Sequence, residues 1–198
     1  MARGRIQGVG ALVVCWALVC IGGLLLLWSY KTRPGDAGEP PARWPAAARL
    51  ALARDRATLV MSVHPHCACT RASLAELERV MARAPDGVAA YVLFVRPDGV
   101  DEGWERGPLW DRAHAIPHVR VVLDPGGALG ARTFGLRVSG HVLVYDAAGE
   151  LRFSGGITGA RGHQGDNIGE QRVAALLDGR APDAETSHVF GCSLEETP

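Results

Sequence analysis

From Gly8 to Trp28 the chain runs about 21 residues without a charge, built mainly from Val, Leu, Ile, Ala and Cys, enough to cross a bilayer core of about 30 Å. Arg3 and Arg5 precede the run, Lys31 and Arg33 follow it, and Trp28 and Tyr30 suit the membrane–water boundary. A cleaved signal peptide has a shorter apolar core, about 7–15 residues, and a small-x-small exit. Here the run is longer and ends in Trp28-Ser29-Tyr30. The expectation is therefore a short tail over 1–7 and an uncleaved single-pass anchor over 8–30. The amino terminus is placed in the cytoplasm and the rest of the chain on the outer, periplasmic side.

Beyond the anchor the apolar positions fall into short segments. Residues 31–45, rich in Pro, Gly, Asp and Glu, read as a linker. A short helix is predicted over 45–56 and a strand over 57–63. A helix is predicted from Thr70 to about Arg83, where Ala72, Leu74, Ala75, Leu77, Val80 and Met81 recur at helical spacing. The continuous apolar run 88–95 predicts a strand buried on both faces. A helix over 108–115, a strand over 119–124 and a short helix over 128–134 follow. Segments 141–146 and 150–153 flank Ala147-Ala148-Gly149 as a hairpin. A Gly-rich loop over 155–165 leads to a last helix over 167–177, capped by Asp166 or Asn167. This order predicts one domain over 46–180, a mixed sheet with an antiparallel edge and helices on both faces, followed by a cysteine-containing tail over 181–198.

Composition sharpens the picture in two places. The 198-residue chain carries 21 Lys and Arg against 21 Asp and Glu, a net charge of zero. Four of the basic residues flank the anchor and every acidic residue lies beyond it, so the domain itself is acidic, which argues against nucleic acid as a partner. Of five cysteines, Cys15 and Cys20 lie in the apolar run and read as small packing residues. Cys67, Cys69 and Cys192 remain, an odd set that favours a transient or ligating role over a fixed disulfide framework.

Cys67 and Cys69 belong to His64-Pro65-His66-Cys67-Ala68-Cys69-Thr70, where strand gives way to helix. A thiol at a helix N-terminus lies at the positive end of the backbone dipole, which favours the thiolate, the form that attacks disulfides and binds soft metals. His64 and His66 stand as tuning or ligating residues, or as plain loop residues. Trp104 and Trp110 read as core or rim hydrophobes.

A strand feeding a helix that opens with two cysteines, followed by a β–α–β–β–α remainder, resembles a membrane-anchored thioredoxin-like domain. Segments 124–128, 134–138 and 142–150 are similar to the second half of the TlpA/peroxiredoxin-like branch. The set His64–Thr70, Ser139-Gly140-His141, Arg161-Gly162-His163 and Phe190-Gly191-Cys192 resembles the RedB-like subgroup, over roughly residues 55–192. The resemblance implies an α/β, thioredoxin-like three-layer fold with a mixed central sheet, preceded by a single transmembrane helix.

Two departures stand out. The motif is Cys-x-Cys rather than Cys-x-x-Cys, and a Cys67–Cys69 disulfide would close a small, strained ring. The place of the family's proline before the hairpin is taken by Ser139-Gly140-His141, so that a histidine is expected opposite the thiols. The implied activity is thiol–disulfide exchange on a protein client or redox partner, with no cofactor required. Cys67 attacks, Cys69 resolves, and Cys192 is an alternative resolver. His64, His66, Ser139, Gly140, Arg161 and His163 border the groove. The alternative is a copper-binding module, with Cu(I) held by Cys67, Cys69 and His141, or by Cys192 in place of the histidine.

Overall fold

The structure is a computed structural model that describes residues 2–86 and 88–195. The chain divides into two compact units, Met1–Arg33 and Pro34–Pro198. The first is a single helix, α1 (Ala2–Thr32), closed at its end by the Thr32 hydroxyl donating to the Trp28 carbonyl at 2.9 Å. Its stretch Val9–Thr32 is long and apolar enough to cross a membrane, a length and composition shared by anchors and signal sequences.

The second unit contains β1 (Thr58–Val63), α2 (Ala68–Met81), β2 (Ala89–Arg96), α3 (Pro108–Ala115), β3 (Val119–Pro125), β4 (His141–Tyr145), β5 (Leu151–Gly156) and α4 (Ile168–Leu177). The strands form one sheet in the order β3-β2-β1-β4-β5. The first three are parallel, β4 runs antiparallel to β1, and β5 runs antiparallel to β4. This is the mixed sheet with an antiparallel edge that the sequence pattern predicts, in the thioredoxin-like order that the resemblance implies.

Strand alternation sorts the core into two clusters. Leu59, Met61 and Val63 of β1, Val92 and Phe94 of β2, and Val142 and Val144 of β4 face one side. That side receives Leu74, Leu77, Val80 and Met81 of α2, Ala113 of α3, and Val173 and Leu177 of α4. Leu74 and Leu77 are fully buried, worth about 2 kcal/mol each on transfer from water. Val60, Tyr91, Leu93, Val95, Leu143 and Tyr145 face the other side.

On that second face the covering layer differs from the prediction. Residues 45–56 are not helical: one turn, closed by the Ala48 N–H on the Pro45 carbonyl, leads into an irregular strap. Ala48, Leu50 and Leu52 press onto the sheet, and the Tyr91 hydroxyl donates to the Ala51 carbonyl. Burial of every second residue outweighs the helix propensity of an Ala- and Leu-rich segment. Residues 128–134 are turns rather than a helix. The Asp124 carboxylate accepts the Leu129 and Gly130 N–H groups at 2.7 and 2.8 Å, and the chain winds around it. The strap continues from residues expected in the linker: the Leu151 and Trp44 N–H groups donate to the Ala42 and Gly149 carbonyls, fastening it to the β4–β5 hairpin.

After α4, whose N-cap is Asn167 accepting from the Glu170 N–H, the chain returns across β5. The Ser154 N–H donates to the Glu185 carbonyl and the Ser187 hydroxyl to the Gly156 carbonyl. This crossing requires Gly155 and Gly156, because a Cβ on Gly156 would lie 2.7 Å from the His188 carbonyl oxygen.

Candidate functional site

The register Ser62↔His141 brings the end of β1 beside the start of β4. The cysteine corner and the Ser139–Gly140 loop therefore meet, and the Gly140 N–H donates to the Ser62 carbonyl at 2.8 Å. A closed ring of hydrogen bonds joins them. The His64 N–H donates to Ser139 Oγ at 2.9 Å, Ser139 Oγ bonds Thr70 Oγ1 at 2.8 Å, and Thr70 Oγ1 donates to the His64 carbonyl at 2.8 Å. Each hydroxyl has a single proton, so the direction is fixed: Ser139 donates to Thr70. This buried ring sets the distance between the two loops.

Helix α2 begins two residues earlier than its apolar spacing predicts. Cys67 is its N-cap, with φ −85° and ψ 126°, and Cys69 lies in the first turn. The Cys67 N–H returns to the His64 carbonyl at 3.2 Å. Cys67 forms a disulfide with Cys192 across a Cα–Cα distance of 6.4 Å and 125 residues of sequence. Cys69 is a buried free thiol. The three sulfurs all lie within 4.8 Å of one another.

The tail is built into the domain. The Ser139 N–H donates to the Cys192 carbonyl at 2.8 Å and the Leu194 N–H to the Arg137 carbonyl at 2.9 Å, either side of an antiparallel Val138–Ser193 bridge. The Arg161 guanidinium bonds the Gly191 carbonyl, and the Gly35 N–H holds the Val189 carbonyl at 2.9 Å. Val189 and Leu194 are buried.

The remaining predicted residues take distinct places. His64 is buried, and its Nδ1 accepts the His66 N–H at 3.2 Å. His66 Nε2 meets the Trp104 carbonyl at 2.9 Å, so that nitrogen carries a proton. The Trp104 ring packs edge-on against both imidazoles, with centroids 5.3 Å from His64 and 4.4 Å from His66. His163 is exposed and its N–H turns back to the Ala160 carbonyl of its own loop. That loop is anchored to α2 by the Gly165 N–H donating to the buried Glu76 carboxylate at 2.8 Å. Trp110 packs on Phe94 in the core, as predicted for it.

His141 is fully buried and not among the clustered sulfur ligands: its Nε2 bonds Ser154 Oγ of β5 at 2.8 Å. Burial lowers its pKa to about 4, opposed by the backbone of Ala37.

Sequence reasoning missed Thr70, which completes the ring, and the role of Trp104 as a wall of the cysteine corner. It also missed a cleft of about 460 Å³ that reaches Cys67 between Pro65, His66, Arg71, Pro108, Leu109 and Arg112. Threonine directly after Cys-x-Cys was the signal for the first. Nothing local in the polar 96–107 loop marked the second.

No protein-family model and no curated protein matches the chain. Solved structures do. An uncharacterized conserved protein from Geobacillus kaustophilus matches at 17% identity and a TM-score of 0.59, over 84% of this chain and 94% of that one. A hypothetical protein from Sinorhizobium meliloti 1021 matches at 16% identity and a TM-score of 0.54, over 83% and 95%. A thioredoxin-like protein from Aeropyrum pernix matches at 11% identity and a TM-score of 0.42, over 81% and 97%. The likeness is one of fold: the chain has a thioredoxin-like domain with three cysteines gathered where its first strand meets its first sheet-packed helix.

Proposed function

We propose that this protein is a membrane-tethered, extracytoplasmic thiol–disulfide oxidoreductase whose working pair is Cys67 and Cys192. The observation that carries the reading is the gathering of three sulfurs within 4.8 Å, one of them the N-cap of α2. In the reduced chain the Cys67 thiolate attacks a client disulfide, forming a mixed disulfide and releasing one client thiolate. The Cys192 thiolate then attacks the Cys67 sulfur, closing Cys67–Cys192 and releasing the second client thiolate. A client dithiol drives the same steps backwards. Cys69 lies within reach of both sulfurs as a third exchanging thiol. The exchange needs no cofactor, only a redox partner that resets the pair.

The combined His64–Thr70, Ser139–His141, Arg161–His163 and Phe190–Cys192 motifs support placing the chain with the RedB-like subgroup. The apolar helix with basic residues on both flanks supports a membrane anchor, and the gathered cysteines suit a compartment outside the cytoplasm, where disulfides persist. A second reading is Cu(I) binding in the reduced state by the three thiolates, a donor set suited to that ion. The engagement of His141 with Ser154 favours Cys192 over His141 as third ligand.

The test is trapping. The full chain in detergent, carrying Cys192→Ser, is expected to accumulate a mixed disulfide on Cys67 when given a disulfide-bonded protein, read by intact mass and peptide mapping. Absence of any adduct, with three thiols of the reduced native chain protected by one Cu(I), would favour the metal reading instead.

A further inference from the structure

The bonds that hold the tail at the site read its backbone rather than its sequence. Ser139 and Arg161 bind the Cys192 and Gly191 carbonyls, and the Arg137 carbonyl takes the Leu194 N–H. Two side chains of the segment 191–194 reach into the domain: Cys192 through its sulfur and Leu194, buried in the second-face cluster with Val95. One position is restricted by shape. A Cβ on residue 191 would overlap the Ser139 carbonyl oxygen, so only glycine fits there. Backbone pairing to an edge, with pockets for alternate side chains, is how sheets receive extended peptides.

We infer that segment 191–194 occupies the client slot, and that the client is an extended protein segment of the form Gly-Cys-x-Leu. This rests on the exchange reading above. The Cys67–Cys192 disulfide is then the internal counterpart of the mixed disulfide with a client, and the slot selects glycine just before the reacting cysteine and an apolar residue two positions after it. A reduced chain frees the tail covalently, and a client segment takes the same three backbone bonds. Having the tail attached raises its local concentration, so poorly matched segments are outcompeted.

The probe is a set of peptides, acetyl-Phe-Gly-Cys-Ser-Leu-amide and its Gly→Ala and Leu→Ser versions, each with its cysteine joined to thionitrobenzoate. The full-length Cys192→Ser protein attacks the peptide sulfur through Cys67, forming Cys67–S–S–peptide and expelling the coloured thionitrobenzoate thiolate. The parent peptide is expected to react about tenfold faster than either version, the scale of one lost pocket contact or one clash. Rates equal for all three peptides would overturn the slot while leaving exchange intact. The mixed disulfide of mercaptoethanol with thionitrobenzoate separates the two claims: if neither it nor any peptide reacts at Cys67, the exchange reading and the slot fall together. Because every peptide meets the same protein, a change in folding cannot produce the selectivity.

Discussion

The two ends of the Cys67–Cys192 bond are built in opposite ways. The corner at Cys67 is mostly local: seven consecutive residues, a strand end and a helix start carry its geometry, braced from elsewhere by Trp104, Ser139 and Gly140. The tail at Cys192 has no regular element of its own. It is held entirely by distant partners, Gly35, Arg137, Ser139 and Arg161, and by burial of Val189 and Leu194. A local corner keeps its shape when the disulfide opens. A tail held by separate weak bonds is the part able to give way. On the proposed exchange reading, this difference suits Cys67 to attack and Cys192 to yield.

Substitutions can break that comparison. Cys67→Ser and Cys192→Ser each remove the same cross-link over 125 residues, a similar loss of about 5 kcal/mol by loop entropy. Their chemistry separates: Cys67→Ser is expected to bring client exchange down to the uncatalysed background, whereas Cys192→Ser keeps the first step and stalls at the adduct. A turnover assay beside denaturant unfolding distinguishes them, and equal loss of the first step in both would erase the asymmetry.

Acid sharpens the corner's side of the comparison. His141 is neutral in the fold, with a pKa lowered to about 4 from 6.5 by burial. The unfolded chain takes up this proton first, so stability present above pH 6.5 is lost as pH falls towards 4, by up to ~3 kcal/mol, and no further below it. Urea unfolding at pH 7.5 and 4.5 measures this, and His141→Asn is expected to flatten the slope.

Smaller effects test the tail. Leu194→Ala is expected to cost about 2 kcal/mol, at the low end for a buried leucine because the segment can relax, and to speed reduction of the disulfide. Ser139→Ala breaks the hydrogen-bond ring and strands the His64 N–H, costing about 1–2 kcal/mol in unfolding experiments. Both are expected to leave the secondary structure seen by circular dichroism unchanged.

The same contrast explains what the sequence made legible. The apolar run of β2 and the helical spacing of Leu74, Leu77, Val80 and Met81 announce a sheet with helices packed on it, because those signals are local. The second face was misread where local preference and tertiary burial disagree. Residues 45–56 have helix-forming composition, yet Ala48, Leu50 and Leu52 alternate as a covering strap does. Around Asp124 the competing signal is one side chain taking two backbone N–H groups. Cys67 and Cys69 were readable as a candidate site from their place at a strand–helix corner, where three sulfurs gather. The partner of Cys67 was legible only as an alternative, Cys192 behind Cys69, because a 125-residue separation leaves no trace in spacing.

The most direct test is a redox titration of the folded, full-length protein in detergent against glutathione buffers, with alkylation and peptide mapping to follow each cysteine and near-ultraviolet circular dichroism to follow folding. The account predicts that Cys67 and Cys192 open and close together, reversibly, while Cys69 remains a thiol at both ends of the titration and the fold persists. A Cys67–Cys192 bond that opens only when the domain unfolds would contradict it, making the bond a structural clamp.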